Sequence, residues 1–105
     1  MIEINNLTKE RVDENLLRKI TEKVFGEKKD LSVALVGQAR IKELNKKYRK
    51  KNRITDVLSF QYNGSGEIVI CLSEVKKNAK RFKSTFNEEL ARVLTHGIKN
   101  LCQNP

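Results

Sequence analysis

A short apolar run at residues 31–36 places the strongest constraint on the fold of this chain. The run consists of Leu, Val and Ala residues with Ser32 as its single polar member, and Gly37 follows it. A run of this kind is typical of a strand that is buried on both faces. We therefore predict a central strand, which needs other elements packed around it for cover.

Two further β-rich segments predict a hairpin. Residues 57–62 and 67–72 favour strands, and the intervening Asn-Gly-Ser-Gly at residues 63–66 favours a tight turn. We expect these two strands to pair antiparallel. At the N-terminus, Ile2 and Ile4 alternate with polar residues, which predicts a short first strand broken by the two asparagines that follow.

Helical spacing of apolar residues predicts a helix on each side of the central run. The first begins near Asp13 or Asn15 and ends before Gly26, and the second follows Gly37. The apolar residues at helical spacing in these two segments are Leu16, Leu17, Ile20, Val24, Phe25, Ile41, Leu44 and Tyr48.

Two more helices are predicted after the hairpin. Ser73 is expected to cap a helix that runs through Lys83, and Thr85 or Asn87 to cap another that begins at Glu88. The order strand, helix, strand, helix, hairpin, helix, helix indicates an α+β fold with a small mixed sheet of about four strands covered by helices. The length is enough for one hydrophobic core, so the whole chain is predicted to form a single domain.

The charge of the chain points to a polyanionic partner. The formal net charge is +9, and the release of counterions favours binding of cations to phosphates. From charge alone RNA, DNA and acidic membranes remain open, as does a basic protein that binds no polyanion. Cys71 and Cys102 form no CxxC pair and suit a reducing compartment. No stretch resembles a membrane span or a secretory signal, so we expect a cytoplasmic protein.

The densest charge lies in residues 46–53, where basic side chains occupy six of eight positions. They are Lys46, Lys47, Arg49, Lys50, Lys51 and Arg53. Such a segment is predicted to bind phosphates without reading base sequence. A solvated helix end with favourable dipole placement is an alternative that uses the same side chains. Tyr48 is the one aromatic residue within this run, so base stacking is not predicted here.

A long signature surrounds the basic segment. From Leu44 to Phe60 the sequence reads LNKKYRKKNRITDVLSF. It resembles the LNxxYRxKxxxTDVLSF signature of the YbeY family of bacterial rRNA maturation factors. The resemblance continues through the later segments GEIVI, FNEEL and THGI and covers residues 31–98. It implies the YbeY-like metal-dependent hydrolase fold.

The resemblance also implies a metal site in the last helix. The family pattern HGxLHLxGYDH holds a divalent metal, usually zinc, through histidines at its first, fifth and eleventh positions. Here His96 fills the first position, Asn100 stands at the fifth, and the eleventh would follow Pro105. An amide is a poor zinc ligand, and Cys102 is an alternative. We therefore expect a site that is truncated, frameshifted or decayed, with the chain ending inside the motif.

Other site residues follow from the signature. Arg49 matches the family's functional arginine, whose planar guanidinium suits phosphate oxygens. From the residues alone, Arg49 pairing with an acid near the helix end is equally open, and His96 at a helix border is also typical of a half-buried, hydrogen-bonded residue. Asp56 is expected to bind backbone amides as a turn residue.

The resemblance implies a single-strand-specific, zinc-dependent endoribonuclease that acts in 16S rRNA 3′-end maturation and ribosome quality control. Arg49 and His96 are its expected catalytic residues, and His96 its expected metal ligand. The metal would lower the pKa of a bound water and stabilise phosphate charge. The expected partner is rRNA in the small ribosomal subunit, with no DNA or membrane.

Two alternatives to this enzyme remain open. The first is a catalytically inactive remnant that binds RNA or the ribosome through the basic segment, an alternative favoured by the two missing ligands. The second is an expressed but nonfunctional chain of marginal stability.

Overall fold

A computed structural model describes residues 1–26 and 30–103 of this chain, with side chains as far as Leu101. In chain order the elements are β1 (Ile2–Asn6), α1 (Glu14–Val24), β2 (Asp30–Val36), α2 (Gln38–Arg49), β3 (Val57–Tyr62), β4 (Ser65–Cys71), α3 (Leu72–Arg81) and α4 (Phe86–Gln103). The predicted α+β class and element order are confirmed.

The strands form one mixed sheet in the order β1-β2-β4-β3. β2 is parallel to both β1 and β4, whereas β3 and β4 pair antiparallel, as predicted for the hairpin. The hairpin turn is tighter than expected, because β4 begins at Ser65 rather than Glu67. Asn63 and Gly64 suffice to reverse the chain, with Gly64 at φ 74°, a left-handed conformation that glycine adopts without steric cost.

The first strand is longer than its composition predicts. Asn5 and Asn6 were expected to break it, yet they continue the ladder opposite Ala34 and Leu35. The strand ends just afterwards, where the Asn6 side-chain oxygen accepts a hydrogen bond from the Thr8 backbone amide. Pairing with a central strand therefore outweighs the low strand propensity of asparagine.

The larger core lies on one face of the sheet, beneath α1, α3 and α4. Its buried members are Ile4, Leu17, Leu31, Val33, Leu35, Ile68, Ile70, Leu72, Val75, Leu90, Val93, Leu94, Ile98 and Leu101. A smaller core lies on the other face beneath α2, and its buried members are Val36, Ile41, Leu58, Val69 and Cys71. Helices thus cover both faces, but unequally.

This inequality corrects the expectation that the central strand is buried on both faces. Leu31, Val33 and Leu35 are fully buried, whereas Ser32 and Ala34 on the opposite face are half-buried. A single helix covers that second face, so part of it stays open to solvent. The central position of the strand itself is confirmed by its two neighbours in the sheet.

Capping residues define two of the helix starts. Asp13, one of the two predicted starts, accepts a hydrogen bond from the Leu16 amide and begins α1. Thr85 begins α4: its hydroxyl accepts from the Glu88 amide, and the Glu88 carboxylate accepts from the Thr85 amide. This reciprocal pair is a capping box. The helix consequently begins at Phe86, before the predicted Glu88.

The predicted start of α3 is wrong. Ser73 was expected to cap it, but the helix begins at Leu72, and Cys71 occupies the cap position without a side-chain cap. Cys71 still belongs to β4, where its amide donates to the Asp56 carbonyl. The strand therefore passes directly into the helix. Within the described ranges, no helix combines the length and apolarity needed to cross a bilayer.

Candidate functional site

The six cations predicted to bind phosphate are gathered at the C-terminal end of α2. All six are exposed. Lys50 caps the helix in the left-handed conformation, at φ 58°, and so turns the following residues back beside the helix end. The structure thus brings this basic segment, residues 46–53, together as one exposed turn around the helix end. Cations in this position also suit the negative end of the helix dipole.

Asn45 holds the basic segment in place, a role that the sequence analysis missed. Its side-chain amide donates to the Arg53 carbonyl over 3.0 Å, and its backbone carbonyl accepts from the amides of Lys50 and Lys51. Asn45 is only 3% exposed. The sequence does carry a signal for this role: Asn45 lies one helical turn after Ile41, and a polar residue on the apolar side of a helix usually forms a buried hydrogen bond.

Arg49 lies against the edge strand β3. Its guanidinium donates to the Ser59 carbonyl, and its central carbon lies 5.2 Å from the centre of the Phe60 ring. Within the described residues no acid forms an ion pair with Arg49, so a carbonyl and a ring orient it instead. The guanidinium remains exposed. Since it carries five N–H donors, several remain available for a ligand.

Ser59 links this arginine to the helix that carries His96. The Ser59 hydroxyl donates to the Gly97 carbonyl over 2.8 Å. Gly97 is buried, and a Cβ there would lie 3.0 Å from Val57 Cγ2 and 3.2 Å from Ile68 Cγ2. The absence of a side chain at Gly97 therefore allows α4 to approach the sheet closely. Arg49 and the residue next to His96 are both hydrogen-bonded to Ser59.

His96 lies exposed beside a shallow groove on α4 that Arg92, Thr95 and Lys99 also line. Asn100, one turn further on, is half-buried. Across the described residues, no group of three or more His, Cys, Asp or Glu side chains is placed to hold a metal ion. A catalytic zinc needs about three protein ligands, so these residues do not fit one. The Cys102 side chain, the alternative ligand, lies outside the described residues.

A second polar cluster ties the loop before β3 to α4. Asp56 was expected to bind backbone amides; among the residues that the structure describes, its carboxylate instead has an oxygen 4.0 Å from the Arg92 guanidinium. Arg92 also donates to both carboxylate oxygens of Glu89, over 2.9 and 2.6 Å. Glu89 is 3% exposed, and its hydrogen bonds with Arg92 hold the pKa of its carboxyl below the ordinary value. The folded structure therefore stabilises the ionised form of the Glu89 carboxyl.

This lowered pKa predicts a pH-dependent effect of replacing Glu89. The pair adds stability above the unfolded pKa of about 4.3 and loses it as the pH falls through the lower folded pKa. We expect Glu89→Gln to reduce the free energy of unfolding by about 1.5 kcal/mol at neutral pH and to have a progressively smaller effect as the pH falls through the folded pKa. Urea unfolding at a series of pH values measures both.

The matched control for Glu89 is Glu43→Gln. The Glu43 carboxylate also pairs with an arginine three positions away, Arg40, but both side chains are exposed. An exposed pair adds less than about 1 kcal/mol. Equal losses for Glu89→Gln at neutral and acidic pH would contradict the assignment of its effect to the charged pair.

Comparison with protein families finds one match that spans nearly the whole chain. The family described as "Endoribonuclease YbeY" matches residues 2–102. Among individual proteins, the chain is 47% identical over 79 residues to an "Endoribonuclease YbeY" from Thermodesulfovibrio yellowstonii, covering 68% of this chain and 50% of that protein. It is 43% identical over 93 residues to one from Thermotoga maritima, covering 84% and 62%.

Longer alignments give the same family name. An "Endoribonuclease YbeY" from Aliarcobacter butzleri is 37% identical over 112 residues, which covers 96% of this chain and 76% of that protein. Among solved structures, the solution structure of TM1509 from Thermotoga maritima is similar, with a TM-score of 0.71 and 39% identity over 99% of this chain and 73% of that one. The chain spans between a half and two thirds of the length of the first relatives given above.

Proposed function

Because this chain belongs to the YbeY endoribonuclease family, we propose that it acts on single-stranded rRNA as an endoribonuclease. The proposed role is maturation of the 3′ end of 16S rRNA and ribosome quality control, with the small ribosomal subunit as partner. One observation carries the proposal: Arg49, an exposed member of the basic segment at the end of α2, is oriented by its contacts with Ser59 and Phe60 of β3. That arrangement suits a phosphodiester backbone.

Arg49 is proposed to hold the RNA phosphate at the reacting position. One donor is engaged by the Ser59 carbonyl, and the Phe60 ring lies against the guanidinium. These contacts fix the plane of the side chain before RNA arrives, so less conformational entropy is lost on binding. The other donors can form charge-assisted hydrogen bonds with phosphate oxygens. Developing charge on the phosphate would be stabilised in the same way.

The metal that the family resemblance implies for this activity is zinc, with His96 as one ligand. Across the described residues no group of three His, Cys, Asp or Glu side chains is placed to hold a metal ion. The groove beside His96 contains one carboxylate, Glu88, and two cations, Arg92 and Lys99, that repel a metal ion. Zinc therefore enters no step of the proposal.

A second candidate function is RNA binding without cleavage. The specific observation in its favour is the setting of His96, which is exposed, with the amide of Asn100 one turn further along the helix where the family places a second histidine. The basic segment would still bind phosphates, because its geometry depends on Asn45 and not on a metal. In this case the chain would bind single-stranded rRNA without cleaving it.

One experiment separates these candidates. The purified chain is analysed for metal by mass spectrometry, and an end-labelled oligonucleotide with the 16S rRNA 3′-end sequence is tested for binding and cleavage with chelator or added zinc. We expect Arg49→Ala to reduce cleavage about 100-fold. Arg49→Lys is expected to restore binding more than cleavage, since lysine keeps the charge but not the planar fork.

The outcomes of this experiment are distinct. Chelator-sensitive cleavage that is lost in His96→Ala, with binding kept, supports the endoribonuclease. Binding without cleavage under every metal condition favours the second candidate. A chain that binds neither this oligonucleotide nor other single-stranded RNA would contradict both proposals.

A further inference from the structure

Three aromatic rings form a row on the α2 side of the sheet, beside Arg49. Phe60 and Tyr62 alternate with Gln61 along β3, so both project to the same face. The Tyr48 ring from α2 meets the Phe60 ring at a centroid distance of 5.3 Å and an interplanar angle of 67°. Tyr62 lies close enough to Tyr48 for the two to interact electrostatically: partial burial raises the pKa of Tyr62, and the charges of nearby Glu67 and Tyr48 add to the rise. Tyr48, Phe60 and Tyr62 thus form one aromatic strip.

The strip is open to solvent at both ends. Tyr48 is 54% exposed and Tyr62 is 55% exposed, whereas Phe60 between them is half-buried and packs against the smaller core. β3 is an edge strand, so no further strand covers this side of the strip. Core packing accounts for Phe60. It does not account for two exposed rings on either side of it.

Cations lie next to the rings. The Lys47 ammonium lies 5.2 Å from the centre of the Tyr48 ring, and the Arg49 guanidinium carbon lies 5.2 Å from the centre of the Phe60 ring. Exposed aromatic side chains beside a positively charged track are the combination that binds single-stranded nucleic acid, since bases stack on the rings while phosphates meet the cations. An apolar protein partner would not need these cations.

We propose that the aromatic strip is a stacking platform for the bases of single-stranded RNA, whose phosphates are held by Lys47 and Arg49. This inference rests on the proposed action on RNA and adds how the chain distinguishes single strands from duplexes. Bases in a duplex are already stacked on one another and cannot reach the rings. The platform revises the expectation, drawn from the basic segment alone, that base stacking is absent: Tyr48 acts with two rings from a strand that follows it in sequence.

The composition of the chain makes the platform directly observable. The chain contains two tyrosines and no tryptophan, and both tyrosines belong to the strip. Stacking of a base on either ring would quench tyrosine fluorescence without interference from other emitters. Titration with a short oligouridine, against a matched RNA duplex, therefore measures stacking in the unmodified protein. Fluorescence anisotropy of a labelled oligouridine measures binding separately.

Variants assign the effect to individual rings. We expect Tyr48→Ala and Tyr62→Ala each to weaken oligouridine binding about tenfold, whereas Tyr48→Phe and Tyr62→Phe bind like the original chain because the ring remains. Each phenylalanine variant also leaves a single tyrosine, so its quenching reports one position. Phe82→Ala is the matched control: Phe82 is 61% exposed but lies at the end of α3, in the other helical layer.

The results separate this inference from the function on which it rests. Quenching by oligouridine but not by duplex, with losses confined to the alanine variants of the strip, supports the platform. Tight binding of oligouridine without quenching, and with unchanged affinity in Tyr48→Ala and Tyr62→Ala, overturns the platform and leaves RNA binding intact. Absence of any binding overturns both.

Discussion

Replacing Gly97 with valine is expected to lower the free energy of unfolding by about 3 kcal/mol, because overpacking a tight contact forces backbone shifts. A Cβ at this position already approaches Val57 Cγ2 to 3.0 Å, Ile68 Cγ2 to 3.2 Å and Ser59 Oγ to 3.3 Å. The further methyl groups of valine have no space between α4 and the sheet. The helix must move outward, which also breaks the hydrogen bond from Ser59. Urea unfolding followed by far-ultraviolet circular dichroism measures the loss.

Two comparisons test the steric explanation. Gly97→Ala gains about 1 kcal/mol of helix propensity against an overpacking cost of about 1–3 kcal/mol, so we expect a small net loss. Lys99→Val introduces the same side chain on the exposed face of the same helix and should change stability by less than about 0.5 kcal/mol. If Gly97→Val were as stable as Lys99→Val, the close approach of α4 to the sheet would be wrong.

The sequence predicts those parts of the fold that local chemistry determines. The start of α1 near Asp13 or Asn15, a hairpin turn within residues 63–66 and the apolar run of β2 each depend on neighbouring residues, and all three appear in the structure. The errors occur where a distant partner outweighs local preference. Asn5 and Asn6 stay extended because β2 supplies their ladder partners, and Ser73 does not cap α3 because β4 runs directly into the helix.

The candidate site also combines features that are evident from neighbouring residues with contacts between residues far apart in sequence. The basic segment is contiguous in sequence, so its charge is evident from the order of the residues alone. The contact between Ser59 and Gly97 joins residues 38 positions apart, and the Arg49 contact with Ser59 joins residues 10 positions apart. The aromatic strip likewise combines α2 with β3. All of these contacts involve β3, and they form only because α2 and α4 pack on the sheet.

Neutralising four lysines of the basic segment is expected to weaken binding of single-stranded RNA about 100-fold at moderate salt, since phosphate contacts supply most of the affinity. The variant carries glutamine at Lys46, Lys47, Lys50 and Lys51 and keeps Arg49 in place. All four lysines are exposed, so the fold should be retained. The magnitude of the slope of log affinity against log salt is expected to fall by about 3, because each of the four lost phosphate contacts contributes about 0.7. Anisotropy titrations at several salt concentrations measure both quantities.

The matched control places the same four changes in and just after α3. Its substituted residues are Lys76, Lys77, Lys80 and Lys83, all of them exposed. Both variants have the same net charge, but α3 packs on the opposite face of the sheet from α2. We expect the α3 variant to lose less than about tenfold, because charges outside the contact act only through the long-range field, which salt screens. Equal losses in the two variants would mean that net charge, rather than the turn organised by Asn45, determines RNA binding.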